Sequence, residues 1–180
     1  MARRPIRRGP SIWRRLDAAS RLAWPGFCTL FGLFLIGLPL GLPFQAELRP
    51  AYAMACVFFW TVYRPSSLPA PLVAVAGLML DLLNLSSLGL WAVLLLLLQG
   101  LTLAARRRLA PGGFLLNWAA FTAFSGLFSS VFWAMQSLLS LTLLTPIPLF
   151  VQILTSAGVY PLMAAMFIRA HRGAAAAELA

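Results

Sequence analysis

From Leu109 to Ile168 the chain runs for sixty residues without one charged side chain. Such a stretch has too few polar groups to face water, and at about 20 apolar residues per crossing it is long enough to pass a bilayer twice. The rest of the chain agrees: 61% of all residues are hydrophobic, 10% are charged and the mean hydropathy is +0.87, whereas about a quarter of an ordinary soluble domain is charged. The net charge of +10 comes from fourteen arginines, no lysine and four acids. Spread along one face, those arginines would point to nucleic acid. Instead seven of them, Arg3, Arg4, Arg7, Arg8, Arg14, Arg15 and Arg21, crowd into the first 21 residues. The class this implies is an all-α polytopic membrane protein with no nucleic-acid partner.

Three regions follow. Residues 1–21 form a basic cytoplasmic arm, residues 22–168 a membrane domain, and residues 169–180 a short cytoplasmic tail. Within the domain the spacing predicts six transmembrane helices, near 24–43, 48–63, 68–84, 88–105, 114–139 and 148–168. A membrane barrel is excluded by the unbroken leucine run Leu94 to Leu98, because barrel strands alternate apolar with polar residues. The first span has the order of a signal peptide, but Phe44 stands where a cleavage site needs a small residue, so an uncleaved anchor is expected.

Between Arg49 and Arg64 lie only 14 residues, about 21 Å of helix, which is short for a core about 30 Å thick. Charge placement nevertheless requires the crossing. With both termini inside, the cytoplasmic face receives the arm, Arg64, the triplet Arg106, Arg107 and Arg108, and the pair Arg169 and Arg172; only Arg49 is left outside. Removing the second crossing would export the triplet and the pair, against the positive-inside rule. Arg49 is then expected to snorkel outward from a locally thinned bilayer. Prolines mark the expected loops: Pro43 and Pro50 outside, Pro65 to Pro71 inside, Pro111 inside, Pro146 and Pro148 outside.

Asp81 is the only acid in the interior of a span, a placement costly enough to demand a reason. It could be a polar anchor satisfied by neighbouring helices or by the turn at Asn84, Ser86 and Ser87, a partner-binding determinant, or a cation site. The absence of ionisable partners in the other spans argues against ion-driven transport. Arg64, at the inner end of its span, lies a membrane thickness from Asp81 and is expected to serve topology and lipid phosphate contact. In the fifth span Ala119, Thr122, Gly126 and Ser130 recur at three to four residues and form a small-residue face suited to close helix approach. The arm arginines and the triplet are expected to attract anionic lipid at the inner leaflet. Catalysis is poorly provided for. The single histidine, His171, lies in the tail, Cys28 and Cys56 lie in apolar stretches, and neither metal-ligand spacing nor a nucleophile with its base is present. No cofactor is expected.

The order Trp60, Tyr63-Arg64-Pro65, Gly77-Leu78-Met79-Leu80-Asp81-Leu82-Leu83, then Leu88-Gly89-Leu90-Trp91-Ala92 resembles the rod shape-determining protein MreD family of the bacterial inner membrane. The resemblance carries about a fifth of the chain by motif; length, span count and a basic start agree elsewhere, although the arm is longer than is usual for the family. It implies a non-catalytic component of the machinery for lateral-wall peptidoglycan, working with the single-span protein MreC, the filament protein MreB, the polymerase RodA and a class B penicillin-binding protein. It also implies a fold similar to the substrate-binding subunits of energy-coupling-factor transporters, and Arg64, Pro65, Gly77, Asp81, Gly89 and Leu90 as residues that maintain the fold and partner surface. The shared fold keeps a second class open, a substrate-specificity subunit of a vitamin or metal uptake transporter.

Overall fold

The computed structural model describes residues 12–39, 41 and 44–177, with side chains described between 25 and 166. The backbone forms α1 (Ile12–Gly37), α2 (Gln45–Tyr63), a 3-10 turn (Pro65–Ser67), α3 (Ala70–Asn84), α4 (Leu90–Leu109), α5 (Phe114–Leu139) and α6 (Ile147–Ala177). No strand occurs among the described residues. Three helices, Leu90–Leu109, Phe114–Leu139 and Ile147–Met166, are long and apolar enough to cross a membrane, and Pro25–Gly37 and Ala70–Asn84 are shorter apolar helices. The chain is an all-helical membrane protein.

Successive helices run in alternating directions. We call the end at which α2 starts the upper end. Contacts there join Arg49 to Gly37 and Leu83 and Asp81 to Gly89, while at the lower end Arg106 meets Val62 and Asn117 meets Tyr63.

The helix expected to fit the bilayer worst lies at the centre. All of Ala53 to Val62 is buried, and α2 packs against α1, α3, α4, α5 and α6. Its 19 residues span about 28 Å. Surrounded by protein rather than lipid, α2 can carry Glu47 and Arg49 without exposing them to hydrocarbon, so neither a thinned bilayer nor a snorkelling arginine is required. An aromatic cluster fixes it to its neighbours: Phe58 lies edge-on to Phe121 of α5 (5.4 Å) and Tyr160 of α6 (5.7 Å), which themselves stack at 4.8 Å. Offset and edge-on pairs of this kind add to the burial of the rings.

Element boundaries depart from expectation where side chains replace backbone partners. The first span ends at Gly37 rather than near residue 43. Pro39 biases Leu38 away from helical backbone, and Gln45 Nε2 donates to the carbonyls of Ile36 (2.7 Å) and Leu38. Pro50, expected in a loop, lies inside α2; as its sixth residue it forgoes a bond only to Ala46, near the helix start, where its ring is least disruptive. The last helix continues through the expected tail to Ala177, carried by an alanine run of high helix propensity. α1 begins at Ile12, so the expected boundary at residue 21 falls within a helix.

Candidate functional site

The α3–α4 hairpin gathers most of the residues singled out by the resemblance. Asp81, fully buried, lies one turn before the end of α3 and directs its carboxylate at the start of α4. Gly89 N donates to Oδ2 (2.8 Å), Trp91 N to Oδ1 (3.1 Å) and Ser86 Oγ to Oδ1 (2.9 Å). Asp81 is therefore the N-terminal cap of a helix to which it does not belong. It satisfies amide groups left over by α4 and puts negative charge at the positive end of that helix's dipole. Of the roles open to it, that of polar anchor is the one this geometry fills.

Two glycines make this possible. A Cβ on Gly77 would lie 2.3 Å from Ala92 Cα, so α3 and α4 touch backbone to backbone there. Gly89 has φ +92, a conformation that costs an L side chain energy, and this turns its N–H toward Asp81. Leu90, the first residue of α4, is half-buried and packs against the core. Leu85 ends α3 in left-handed geometry, φ 49, while Ser86 N returns to the Asp81 carbonyl at 3.1 Å, a helix-closing pattern more often built on glycine.

Arg49 seals the same end from α2. Its Nη1 donates to Leu83 O (2.7 Å) and Asn84 Oδ1 (3.1 Å), and its Nη2 to Gly37 O (3.3 Å). One guanidinium thus serves the carbonyl ends of α1 and α3, where a cation also complements both dipoles. Tyr52 Oη adds a bond to Cys28 O at 2.9 Å. Gln45, Arg49 and Tyr52, spaced four and three apart, form one polar edge of α2. That spacing is visible in the sequence and would have marked the edge as an interhelical seam.

Arg64 and Pro65 lie at the lower end, away from this knot. Arg64 terminates α2, its N–H bonded to Trp60 O at 2.7 Å, and its side chain is exposed; Pro65 opens the 3-10 turn. Arg106 takes a structural role beside the expected lipid one: its Nε donates to Val62 O (2.9 Å) and caps α2. Arg107 and Arg108 remain exposed. Arg3, Arg4, Arg7 and Arg8 lie outside the described residues, as do the side chains of Arg14 and Arg15.

On α5 the small-residue face lies at the edge of the bundle, where a Cβ on Gly126 would lie 3.8 Å from Ile153 Cδ1 of α6. Gly126 and Thr122 are half-buried and Ser130 is exposed. Thr122 Oγ1 donates to Trp118 O (2.9 Å) and Ser130 Oγ to Gly126 O (2.7 Å), so both hydroxyls are satisfied within their own helix. The face buried inside the bundle is Asn117, Phe121, Ser125, Phe128 and Ser129.

Beside the knot, a cavity of about 270 Å³ opens at the upper end between α2, the α3–α4 turn, α5 and α6. Trp91 forms part of its wall, held there by its own bond to Asp81 and by stacking on Phe132 at 4.5 Å. Gln152 of α6 also lines it, where its amide can donate to Glu47 O (2.9 Å) and accept from Ala51 N (3.2 Å). Trp91 Nε1, Ser129 Oγ and Trp133 Nε1, all on lining residues, are buried without hydrogen-bond partners. No spacing in the sequence announces this cavity, because its walls come from four separate elements. No family model, curated protein or solved structure matches the chain.

Proposed function

We propose that this protein is a non-catalytic scaffold of the cell-wall elongation machinery in the bacterial inner membrane, similar to the MreD family. In this reading the six helices cross six times, with both termini inside, in a fold like that of the substrate-binding subunits of energy-coupling-factor transporters. The observation that carries it is the α3–α4 knot: Gly77, Asp81 and Gly89, three of the motif residues on which the resemblance rests, converge in one hairpin. Their job there is architectural, which accords with a protein that holds others in place rather than transforming a substrate.

The surface for a partner is the outward face of α5. Ser130 is exposed and Thr122 and Gly126 are half-buried at the edge of α6, and small residues let a second helix approach closely in lipid. We assign this face to the single span of an MreC-like protein, whose periplasmic part would then be linked through the scaffold to MreB filaments, RodA and a class B penicillin-binding protein. Ser130→Trp places a bulky ring on an exposed position, so the fold should survive while co-purification of the MreC-like protein from native membranes falls at least several-fold. Undiminished recovery would remove the face from consideration. The cavity favours a second reading, a substrate-specificity subunit of a vitamin or metal uptake transporter, which requires saturable small-molecule binding and co-purification with an energising module.

A further inference from the structure

Indole nitrogens donate hydrogen bonds and do not accept them. The two unpartnered indoles at the cavity, on Trp91 and Trp133, therefore require an acceptor, and the unpartnered hydroxyl of Ser129 can donate to the same group. A hydrocarbon chain alone would leave all three unsatisfied, which disfavours burial. Glu47 also lines the cavity, so a carboxylate or phosphate inside it would meet a like charge. The chemistry that fits is an uncharged carbonyl on an apolar body.

Position identifies the source. Trp133 lines both this cavity and a second, more open hollow of about 420 Å³ along the end of α5 and the loop after it. That hollow is walled by Leu138, Leu141 and Leu143, which are 68%, 89% and 92% exposed. Trp133 is thus shared by the cavity and an exposed apolar hollow. On the six-crossing reading the cavity, at the helix ends, lies at the depth of the membrane interface, where tryptophans commonly meet the polar part of the lipid. We propose that the cavity receives the ester region of a diacyl lipid, its carbonyls accepting from Trp133, Trp91 and Ser129 while a chain lies against the leucines. This site rests on the six-crossing reading but not on the scaffold role.

The test compares a phosphatidylethanolamine with its diether analogue, which keeps the chains and headgroup but lacks the carbonyls. Full-length protein, delipidated in detergent, is titrated with each lipid and the bound fraction read by native mass spectrometry. The diester should bind about tenfold more tightly, a difference of about 1.4 kcal/mol. Ser129→Ala and Trp133→Phe should each reduce that preference and leave diether binding unchanged. Equal binding of the two lipids by the native protein would overturn the proposal, as would a preference that survives Ser129→Ala combined with Trp133→Phe. Extraction of a bound species other than an acyl ester from freshly purified protein would also overturn it. Ser129→Ala alone removes only an unpartnered hydroxyl, so the test stands even where the tryptophan variant folds poorly.

Discussion

The hairpins α3–α4 and α5–α6 have the same topology, two antiparallel helices joined at the upper end, yet they differ in how far their buried polarity is satisfied. In α3–α4 the buried carboxylate of Asp81 receives three hydrogen bonds, the helices meet backbone to backbone at Gly77, and Arg49 bonds the Leu83 carbonyl and the Asn84 side chain at the end of α3. In α5–α6 one indole reaches across, Trp118 Nε1 to Ala157 O at 2.9 Å near the lower end, while Asn117, Ser125, Ser129 and Trp133 on α5 hold buried polar atoms without partners, against Trp91 Nε1 alone among the described residues of α3 and α4. A polar network that is fully satisfied rigidifies its surroundings; one that is partly satisfied leaves room for another molecule to complete it. The first hairpin is the frame, and the second carries the proposed partner face and, together with Trp91 of the first, the proposed lipid site.

The frame should break first and hardest at Asp81. Asp81→Ala orphans two backbone amides and a hydroxyl, and its loss should lower stability by about 3 to 4 kcal/mol, the sum expected for charge-assisted bonds and a lost cap. Thermal unfolding in detergent, followed by circular dichroism, reads this directly. Gly77→Val should be of similar size, because the new atoms would overlap the backbone of Ala92 rather than a side chain able to move. If Asp81→Ala costs under about 1 kcal/mol, the two hairpins do not differ as described.

Next comes Arg49. Arg49→Met keeps much of the side-chain length but leaves the carbonyls of Gly37 and Leu83 without their donor, at an expected cost of about 2 to 3 kcal/mol. Arg49→Lys should recover part of that loss and no more, since an ammonium lacks the planar fork that serves two helix ends at once. Full recovery with lysine would mean that the charge suffices and the geometry does not matter.

Much of the frame was legible before any coordinates. The helical class followed from the charge-free sixty residues, and the anchoring role of Asp81 was one of three open alternatives because a lone acid among leucines needs nearby donors, which Ser86 supplies. The central place of α2 was not legible. Its charges and short length suggested a crossing in a locally thinned bilayer, and hydropathy along one segment cannot reveal that five other helices surround it. The use of the α5 pattern was not legible for a related reason. Thr122, Gly126 and Ser130 share a face by spacing, as do Phe121, Ser125 and Phe128, and spacing alone does not say which of two such faces turns inward. The cavity was invisible because it depends on four chain segments meeting at one depth.

The smallest expected effect is the sharpest test of the contrast. Ser125 is fully buried and its hydroxyl has no partner, so Ser125→Ala removes a desolvated polar group without breaking a bond. The change should be neutral or stabilising by up to about 1 kcal/mol, because the penalty of burying an unpaired hydroxyl disappears while only a small volume is lost. Thr102 provides the control. It is equally buried, but its Oγ1 donates to Leu98 O at 2.7 Å, so Thr102→Ala should cost about 1 kcal/mol for the bond, plus the lost methyl. A cost for Ser125→Ala that equals or exceeds the Thr102 value would mean that the α5 hydroxyl is satisfied within the fold, and the α5–α6 hairpin would then be a second sealed frame rather than the open side of the molecule.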